Sequence, residues 1–82
     1  MKPVILKAIG DSTRLILLKR IEKSEVCACT LPKTVGTSQP AVSQHLKVLL
    51  GAGLVRMRKD GARRLYSISA KGRQVLGDIR RW

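Results

Sequence analysis

The only two cysteines of this 82-residue chain, Cys27 and Cys29, stand one residue apart in the stretch EVCACTLPK. Thiolates bind soft ions, and two neighbouring thiolates could close a small chelate around one ion. The same pair could form a disulfide, although this spacing permits a bridge only with local strain. A third interpretation is two small apolar residues at the edge of a core. The residues alone leave all three interpretations open.

The net charge of the chain is strongly positive. Seventeen lysines and arginines stand against five acidic residues, which gives a formal charge of +12 and an isoelectric point near 11.0. This balance favours a polyanionic partner, most often nucleic acid, although a merely solvated basic surface would have the same composition. A role at a membrane surface is less favoured, because no predicted helix pairs a broad basic face with exposed aromatic residues.

Composition also excludes several classes of protein. At 44% apolar residues the chain is too hydrophobic for a disordered segment, and no apolar run approaches the ~20 residues of a membrane span. The acids are scattered, and no phosphate-binding glycine loop or nucleophile–base pair appears, so we predict that the protein is not an enzyme. Two cysteines do not make the disulfide framework of a secreted protein, so the cytoplasm is the expected compartment. We expect one domain over residues 1–82.

Hydrophobic periodicity and turn residues predict five helices and one β-hairpin. Four helices come first, over residues 3–9, 13–23, 31–35 and 39–50. A hairpin around Asp60-Gly61 follows in the stretch LVRMRKDGARRLYSIS. A fifth helix begins after Ser69. The predicted fold class is mostly α with a small β-hairpin (α+β), in the form of a winged helix-turn-helix.

The fourth predicted helix, QPAVSQHLKVLL, has two contrasting faces. Val42, Leu46 and Leu49 stack on the apolar side. The opposite side is polar and short-chained, as a helix must be to enter the major groove, where hydroxyl and amide groups reach base edges. This polar side consists of Pro40, Ser43, Gln44 and Lys47. A solvated surface helix would have the same pattern, so its neighbours must decide.

The neighbouring segments favour DNA. A short helix, a turn containing Gly36 and a second helix capped by Ser38 have helix-turn-helix spacing. The hairpin that follows is strongly basic, which predicts a wing lying on the phosphate backbone or reaching the minor groove. A charged hairpin could also simply protect a sheet edge. Its cations are Arg56, Arg58, Lys59, Arg63 and Arg64.

The fifth predicted helix carries an apolar stripe formed by Val75, Leu76, Ile79 and Trp82. Gly72 and Gly77 weaken it as an independent helix. It therefore needs a packing partner, which the first helix or the same helix of another subunit could provide.

Four stretches, in this order and spacing, resemble the ArsR/SmtB family of metal-sensing transcriptional repressors: LKAIGDSTRLILLKRI, EVCACTL, SQPAVSQHLKVLLGAGLV and RKDGARRLYSI. The resemblance covers nearly the whole chain. It implies a homodimeric repressor that binds a palindromic DNA operator and is released when an ion binds. The stretch SISAKGRQVL also resembles the segment after the wing in MarR-type regulators.

The resemblance also implies roles for individual residues. The implied DNA contacts are Ser38, Gln39, Pro40, Ser43, Gln44 and Lys47 in the recognition helix, with Arg58, Lys59, Arg63 and Arg64 in the wing. The first and last helices would form the dimer interface, through Val4, Ile5, Val75, Ile79 and Trp82. Two-fold symmetry would then set the recognition helices ~34 Å apart, one turn of DNA.

The cysteine pair occupies the position where the arsenic-, antimony- or cadmium-sensing branch of the family places thiolate ligands. The expected ion is soft, and As(III), Sb(III), Cd, Hg or Zn would qualify. Pro32 stands where a third cysteine often sits, and the last helix offers only Asp78 in place of the ligand pairs of the zinc- or nickel-sensing branch. A trivalent metalloid therefore needs an outside group to complete its site. His45, the single histidine, is expected to be packed and hydrogen-bonded rather than a further ligand.

Two alternatives to an ion-released repressor remain. One is a MarR-like or redox-responsive regulator that uses the same cysteines. The other is a winged-helix interaction module of a transcription or RNA–protein assembly, with no regulatory ligand.

Overall fold

A computed structural model of the chain describes residues 2–81, in which five α-helices accompany a small three-stranded sheet. The helices are α1 (Pro3–Ile9), α2 (Ser12–Lys23), α3 (Leu31–Val35), α4 (Gln39–Gly51) and α5 (Ala70–Arg80). The strands are β1 (Val26–Cys27), β2 (Val55–Asp60) and β3 (Arg63–Ile68). The predicted fold class is confirmed. None of the helices within this range is long and apolar enough to span a membrane.

Side-chain caps set the starts of the three longer helices. Asp11 caps α2 at 3.1 Å, Ser38 caps α4 at 3.3 Å and Ser69 caps α5 at 2.9 Å, each accepting from the backbone N–H three residues on. Such a cap satisfies a donor that would otherwise lack a partner and contributes roughly 1 kcal/mol. Thr30, at the N-terminus of α3, makes no such bond. Instead, α3 continues directly from a 3-10 turn over Ala28–Thr30.

The sheet contains one strand that the sequence pattern did not predict. Strand β1 pairs antiparallel with β3, which places Cys27 opposite Leu65, and β3 also pairs with β2 to give the order β1-β3-β2. Without β1, the outer edge of β3 would present unpaired backbone groups. The short strand therefore attaches the cysteine segment directly to the hairpin.

The hairpin turns at Gly61 and Ala62, one residue later than the predicted Asp60-Gly61, because Asp60 pairs with Arg63 across the two strands. Gly61 has a φ of +62°, and no non-glycine residue in the described chain has a positive φ. A positive φ at only the first turn residue matches a type II′ turn, which suits the twist of a hairpin. The resulting register sets Lys59 directly opposite Arg64.

The core is aliphatic and centres on α2, which contacts α1, α4, α5 and β3. The largest fully buried side chains are Leu17, Leu18, Ile21, Leu31, Val42, Leu46, Leu49, Leu54 and Leu76. The predicted apolar face of α4 is thus confirmed. On α2, Leu17, Leu18 and Ile21 are buried and Leu15 is only partly buried. Burial of each such leucine or isoleucine contributes on the order of 2 kcal/mol.

Gly72 permits the closest approach of α5 to the sheet. A Cβ at this position would collide with the carbonyl oxygen of Leu54 and lie 2.7 Å from Ile68 Cδ1. A Cβ at Gly77, on the same helix, would meet no atom within 4 Å. The two glycines weaken α5 equally by helix propensity, but only Gly72 is needed for packing.

We therefore expect opposite effects from two matched substitutions. Gly72→Ala should lower the free energy of unfolding by roughly 1–3 kcal/mol, because the clash outweighs the gain in propensity. Gly77→Ala should raise it by about 0.5–1 kcal/mol. Urea denaturation at constant m-value measures both changes, and a stabilising Gly72→Ala would show that this close contact is absent.

Candidate nucleic-acid interface

The helix-turn-helix is formed by α3, a three-residue turn and α4. Helix α3 ends at Gly36, whose φ of +68° is left-handed and favours glycine. The N–H groups of Gly36 and Thr37 donate to the carbonyl of Pro32 at 2.9 and 3.2 Å, closing the helix end. Ser38 then caps the start of α4. This compact turn fixes the direction in which α4 leaves α3.

Helix α4 presents its polar face to solvent. Val42, Leu46 and Leu49 on the other face are at most 1% exposed, so the helix cannot rotate without opening the core. All predicted recognition-helix contacts are exposed: Ser38, Gln39, Pro40, Ser43, Gln44 and Lys47. The hydroxyl, amide and ammonium groups of this face are therefore free to meet base edges and phosphates.

His45 contributes to the attachment of α4 rather than to its exposed face. Its Nδ1 lies 3.4 Å from Arg14 Nη1, and because a guanidinium only donates, this ring nitrogen is the acceptor. Arg14 also donates to the carbonyls of Ala8 at 2.7 Å and Lys7 at 3.1 Å, at the end of α1. The prediction of a packed, hydrogen-bonded histidine is confirmed.

The wing concentrates positive charge at its tip. Lys59, Arg63 and Arg64 are exposed, and the register places Lys59 directly across from Arg64. Two like charges in this position repel each other, which an anion bound between them would relieve. The Asp60 carboxylate reaches Arg63 only at 3.8 Å, with both side chains largely in solvent. The tip therefore remains available for phosphate.

Arg58 differs from the other predicted wing contacts, because Glu25 already holds its guanidinium. Its Nε and Nη2 donate to the two oxygens of Glu25 at 2.8 and 2.7 Å. Those hydrogen bonds keep the pKa of the Glu25 carboxyl below its ordinary value and raise the pKa of Arg58. The pair links the residue before β1 to strand β2. Sequence reasoning missed it, since the partners are 33 residues apart.

The two cysteines are joined on the 3-10 turn that follows β1. Their Sγ atoms are paired as a disulfide, with Cα atoms 5.2 Å apart. The Cys29 N–H donates to Cys27 Sγ at 3.3 Å, and the Thr30 hydroxyl donates to the Cys27 carbonyl at 2.9 Å. Cys27 is half-buried and Cys29 is exposed, so neither belongs to the core. The pair thus lies at the edge of the core, and the choice among the three interpretations stays a prediction.

A cleft of about 480 Å³ brings the cysteines and the predicted DNA contacts together. It lies between the polar face of α4, the wing and the cysteine turn. Six of the ten predicted DNA contacts line it beside both cysteines: Gln39, Ser43, Gln44, Lys47, Arg63 and Arg64. Its apolar lining, which no sequence pattern indicated, includes Leu46, Leu50, Met57 and Tyr66. Ser38, Pro40, Arg58 and Lys59 lie outside the lining.

The cysteine pair suits a soft ion but does not surround one. Across residues 2–81, no group of three or more His, Cys, Asp or Glu side chains is placed to hold a metal. Two sulfur donors on one turn would satisfy part of a soft ion's coordination shell. Because both cysteines line the cleft, ligands at the ion's remaining coordination positions could come from the cleft.

The predicted dimer residues do not form one exposed surface. Val4 is 54% exposed, but Ile5 at 6% and Val75 at 4% are buried in the core of their own chain. These two residues therefore pack within the monomer, and their role at a dimer interface stays a prediction. Ile79 is partly buried, and Trp82 lies outside the described residues. Exposed apolar surface instead occurs at Val4, Leu6 and Ile16.

Comparison with known proteins identifies the family of the chain. The model of the family described as "Bacterial regulatory protein, arsR family" matches residues 11–57. A Halobacterium salinarum protein named as an arsenical resistance operon repressor, ArsR2, is 52% identical over 64 residues, covering 76% of this chain and 54% of that protein. The arsenical resistance operon repressor of Staphylococcus aureus is 40% identical over 75 residues, covering 92% of this chain and 69% of its own. The crystal structure of NolR from Sinorhizobium fredii matches with a TM-score of 0.84 at 35% identity, covering 93% of this chain and 77% of that one.

The fold and the matched relatives are those of DNA-binding transcriptional regulators, not of enzymes. Within that class, the chain belongs to the arsR family of bacterial regulatory proteins. It spans 54% of the length of the Halobacterium relative.

Proposed function

We propose that this protein is a cytoplasmic repressor that binds operator DNA as a homodimer and is released when a soft ion binds Cys27 and Cys29. The observation that carries the proposal is the cleft, in which both cysteines share walls with the residues predicted to contact DNA. An ion held by the cysteines would occupy space beside the DNA-reading face.

On the DNA side, α4 would enter the major groove. Ser43 and Gln44 would read base edges, since hydroxyl and amide groups discriminate donor and acceptor patterns there, and Lys47 would reach a guanine or a phosphate. Lys59, Arg63 and Arg64 would hold the phosphate backbone from the wing, and the net charge of +12 would favour DNA binding in general.

The homodimer is supported by apolar surface that one chain leaves uncovered. Val4 and Leu6 on α1 are 54% and 46% exposed, and Ile16 on α2 is 50% exposed. Burial of these apolar side chains against a second copy would stabilise a dimer, because it removes apolar surface from water. A two-fold dimer would present two α4 helices to an inverted repeat with half-sites one turn of DNA apart.

On the ligand side, the ion would have to bind the DNA-free protein more tightly than the DNA-bound protein, or no release would follow. A shared cleft meets this condition directly, because the ion and the DNA compete for its walls. As(III) is the first candidate, since two relatives are named for arsenical resistance. Sb(III), Cd, Hg and Zn are the other soft ions considered.

The paired sulfur atoms favour one second candidate, a redox-responsive regulator. In that case oxidation of the two thiols to the disulfide would replace the ion as the signal. The same residues would act, but arsenite would have no effect.

We expect two substitutions to separate base reading from phosphate binding. Gln44→Ala should cost ~1–3 kcal/mol on the cognate inverted repeat and little on an unrelated duplex. Arg63→Ala should weaken binding to both and reduce the salt slope by about one. Fluorescence anisotropy at several salt concentrations measures these effects. Lys19→Ala, which removes an exposed cation of α2 outside the cleft lining, is the control. If Gln44→Ala left sequence preference unchanged, α4 would not be the reading helix.

Arsenite should release the reduced protein from its operator, and this release should disappear in Cys27→Ser and in Cys29→Ser. Ala28→Ser changes the residue between them, leaves both thiols in place and should still respond. The complex is followed by anisotropy in a phosphine reductant, which adds no competing thiol. Release that persists in both cysteine variants would remove the pair from the mechanism. Release by a thiol oxidant alone, with no response to arsenite, would instead identify the redox-responsive regulator.

A further inference from the structure

We infer that the cleft binds a small anionic thiol, which supplies the third sulfur ligand to a trivalent metalloid held by Cys27 and Cys29. This inference rests on the proposed function, because it describes how the same cysteine pair completes its ion site.

The cysteine pair would leave one bond of a trivalent metalloid open. Trivalent arsenic forms three bonds, and Cys27 and Cys29 offer two sulfur donors. The part of the chain that the structure describes places no third His, Cys, Asp or Glu side chain with them. A small thiol in the cleft would supply the third sulfur.

The cleft has space for such a molecule directly beside the pair. Its volume of about 480 Å³ is typical of small-molecule sites. Cys29 is exposed at its edge. Leu50 and Met57 give the wall an apolar portion that a short methylene chain could contact. A third ligand could reach the ion from the cleft without moving the core.

The charge of the cleft selects the kind of thiol. Lys47, Arg63 and Arg64 line it, and no aspartate or glutamate is among the residues that do. A thiol carrying a carboxylate would form charge-assisted hydrogen bonds with these cations, whereas a thiol carrying an amine would be repelled. The preferred co-ligand is therefore a small thiol with one or more carboxylates.

The exchange balances without any change of oxidation state. As(OH)₃ reacts with the two reduced cysteine thiols and one small-molecule thiol. Three As–S bonds form, three As–O bonds break, and the three thiol protons leave in three water molecules. The disulfide must be reduced beforehand, and a phosphine reductant supplies those two electrons in the experiment below.

This arrangement would also couple the thiol to repression. The carboxylate of the small thiol would engage the same cations that bind DNA phosphates from the cleft. The ion and its co-ligand would then compete with DNA together. A cell rich in anionic thiols would release the repressor at a lower concentration of metalloid.

The test compares three small thiols that differ in charge: mercaptoacetate, 2-mercaptoethanol and 2-aminoethanethiol. Arsenite is titrated into phosphine-reduced full-length protein with each thiol, and arsenic–sulfur absorption in the near ultraviolet reports binding. We expect the apparent affinity to be ~10-fold or more tighter with mercaptoacetate than with 2-aminoethanethiol, as attraction to several nearby cations requires. X-ray absorption should count three sulfur neighbours.

Matched double variants control for the intrinsic difference in reactivity among the three thiols, because each thiol is compared with itself across the variants. Lys47→Gln with Arg64→Gln removes two cleft cations, and Lys19→Gln with Lys23→Gln removes two exposed cations from α2. The preference for mercaptoacetate should collapse in the first double variant and persist in the second.

Two results would count against the inference, and they are distinguishable. An equal thiol preference in both double variants, with arsenite still bound by the cysteines, would overturn the co-ligand while leaving the ion sensor intact. Absence of any absorption that depends on Cys27 and Cys29, with all three thiols, would overturn the ion sensor as well.

Discussion

The antiparallel pairing of Val26–Cys27 with Tyr66 and Leu65 is the contact on which the whole site depends. Without it, the cysteine segment would be an ordinary connection between two helices. With it, a turn that precedes the helix-turn-helix is attached to the strand that carries Arg63 and Arg64. The Glu25–Arg58 ion pair reinforces the attachment from outside the strand. A two-residue strand thus places the two cysteines beside the predicted recognition helix α4.

This placement would let a ligand bound at the cysteines act directly on the predicted DNA-binding residues, because both line one cleft. In many switches the ligand and the regulated surface are far apart, and a bistable element must connect them. Here both cysteines and six predicted DNA contacts border one cleft. Competition for that space would supply the proposed coupling, and linkage would make it reciprocal, because DNA would weaken ion binding by the same factor. The two chemistries considered for the cysteines, ion binding and disulfide formation, would act on the same walls.

Local signals in the sequence predicted most of the fold. Ser38 and Ser69 predicted where α4 and α5 begin, and apolar spacing predicted the inward face of α4, because capping and periodicity act within a few residues. Strand β1 could not be predicted, since two residues carry no periodicity and form a strand only where β3 offers an edge. The cleft could not be predicted either, because its walls come from segments that only the pairing of β1 with β3 brings together.

Long-range ion pairing and core packing explain where the environments of other predicted site residues differ from expectation. Arg58 was predicted to contact phosphate because it is a cation in the basic hairpin. In the fold its guanidinium is instead hydrogen-bonded to Glu25, which lies 33 residues away in the sequence. Ile5 and Val75 have the spacing of an interface stripe, yet the small core needs them within one chain. The exposed face of α4 was predicted correctly, because its apolar side fixes which residues must point outward.

The most direct test of the shared cleft is the rate at which iodoacetamide alkylates Cys27 and Cys29 in reduced protein, with and without saturating operator DNA. Mass spectrometry of the two cysteines measures this rate. A shared cleft predicts that alkylation slows in proportion to the fraction of protein bound to DNA. Alkylation of the fully bound protein at the rate of the free protein would show that the cysteines and the DNA do not occupy the same cleft.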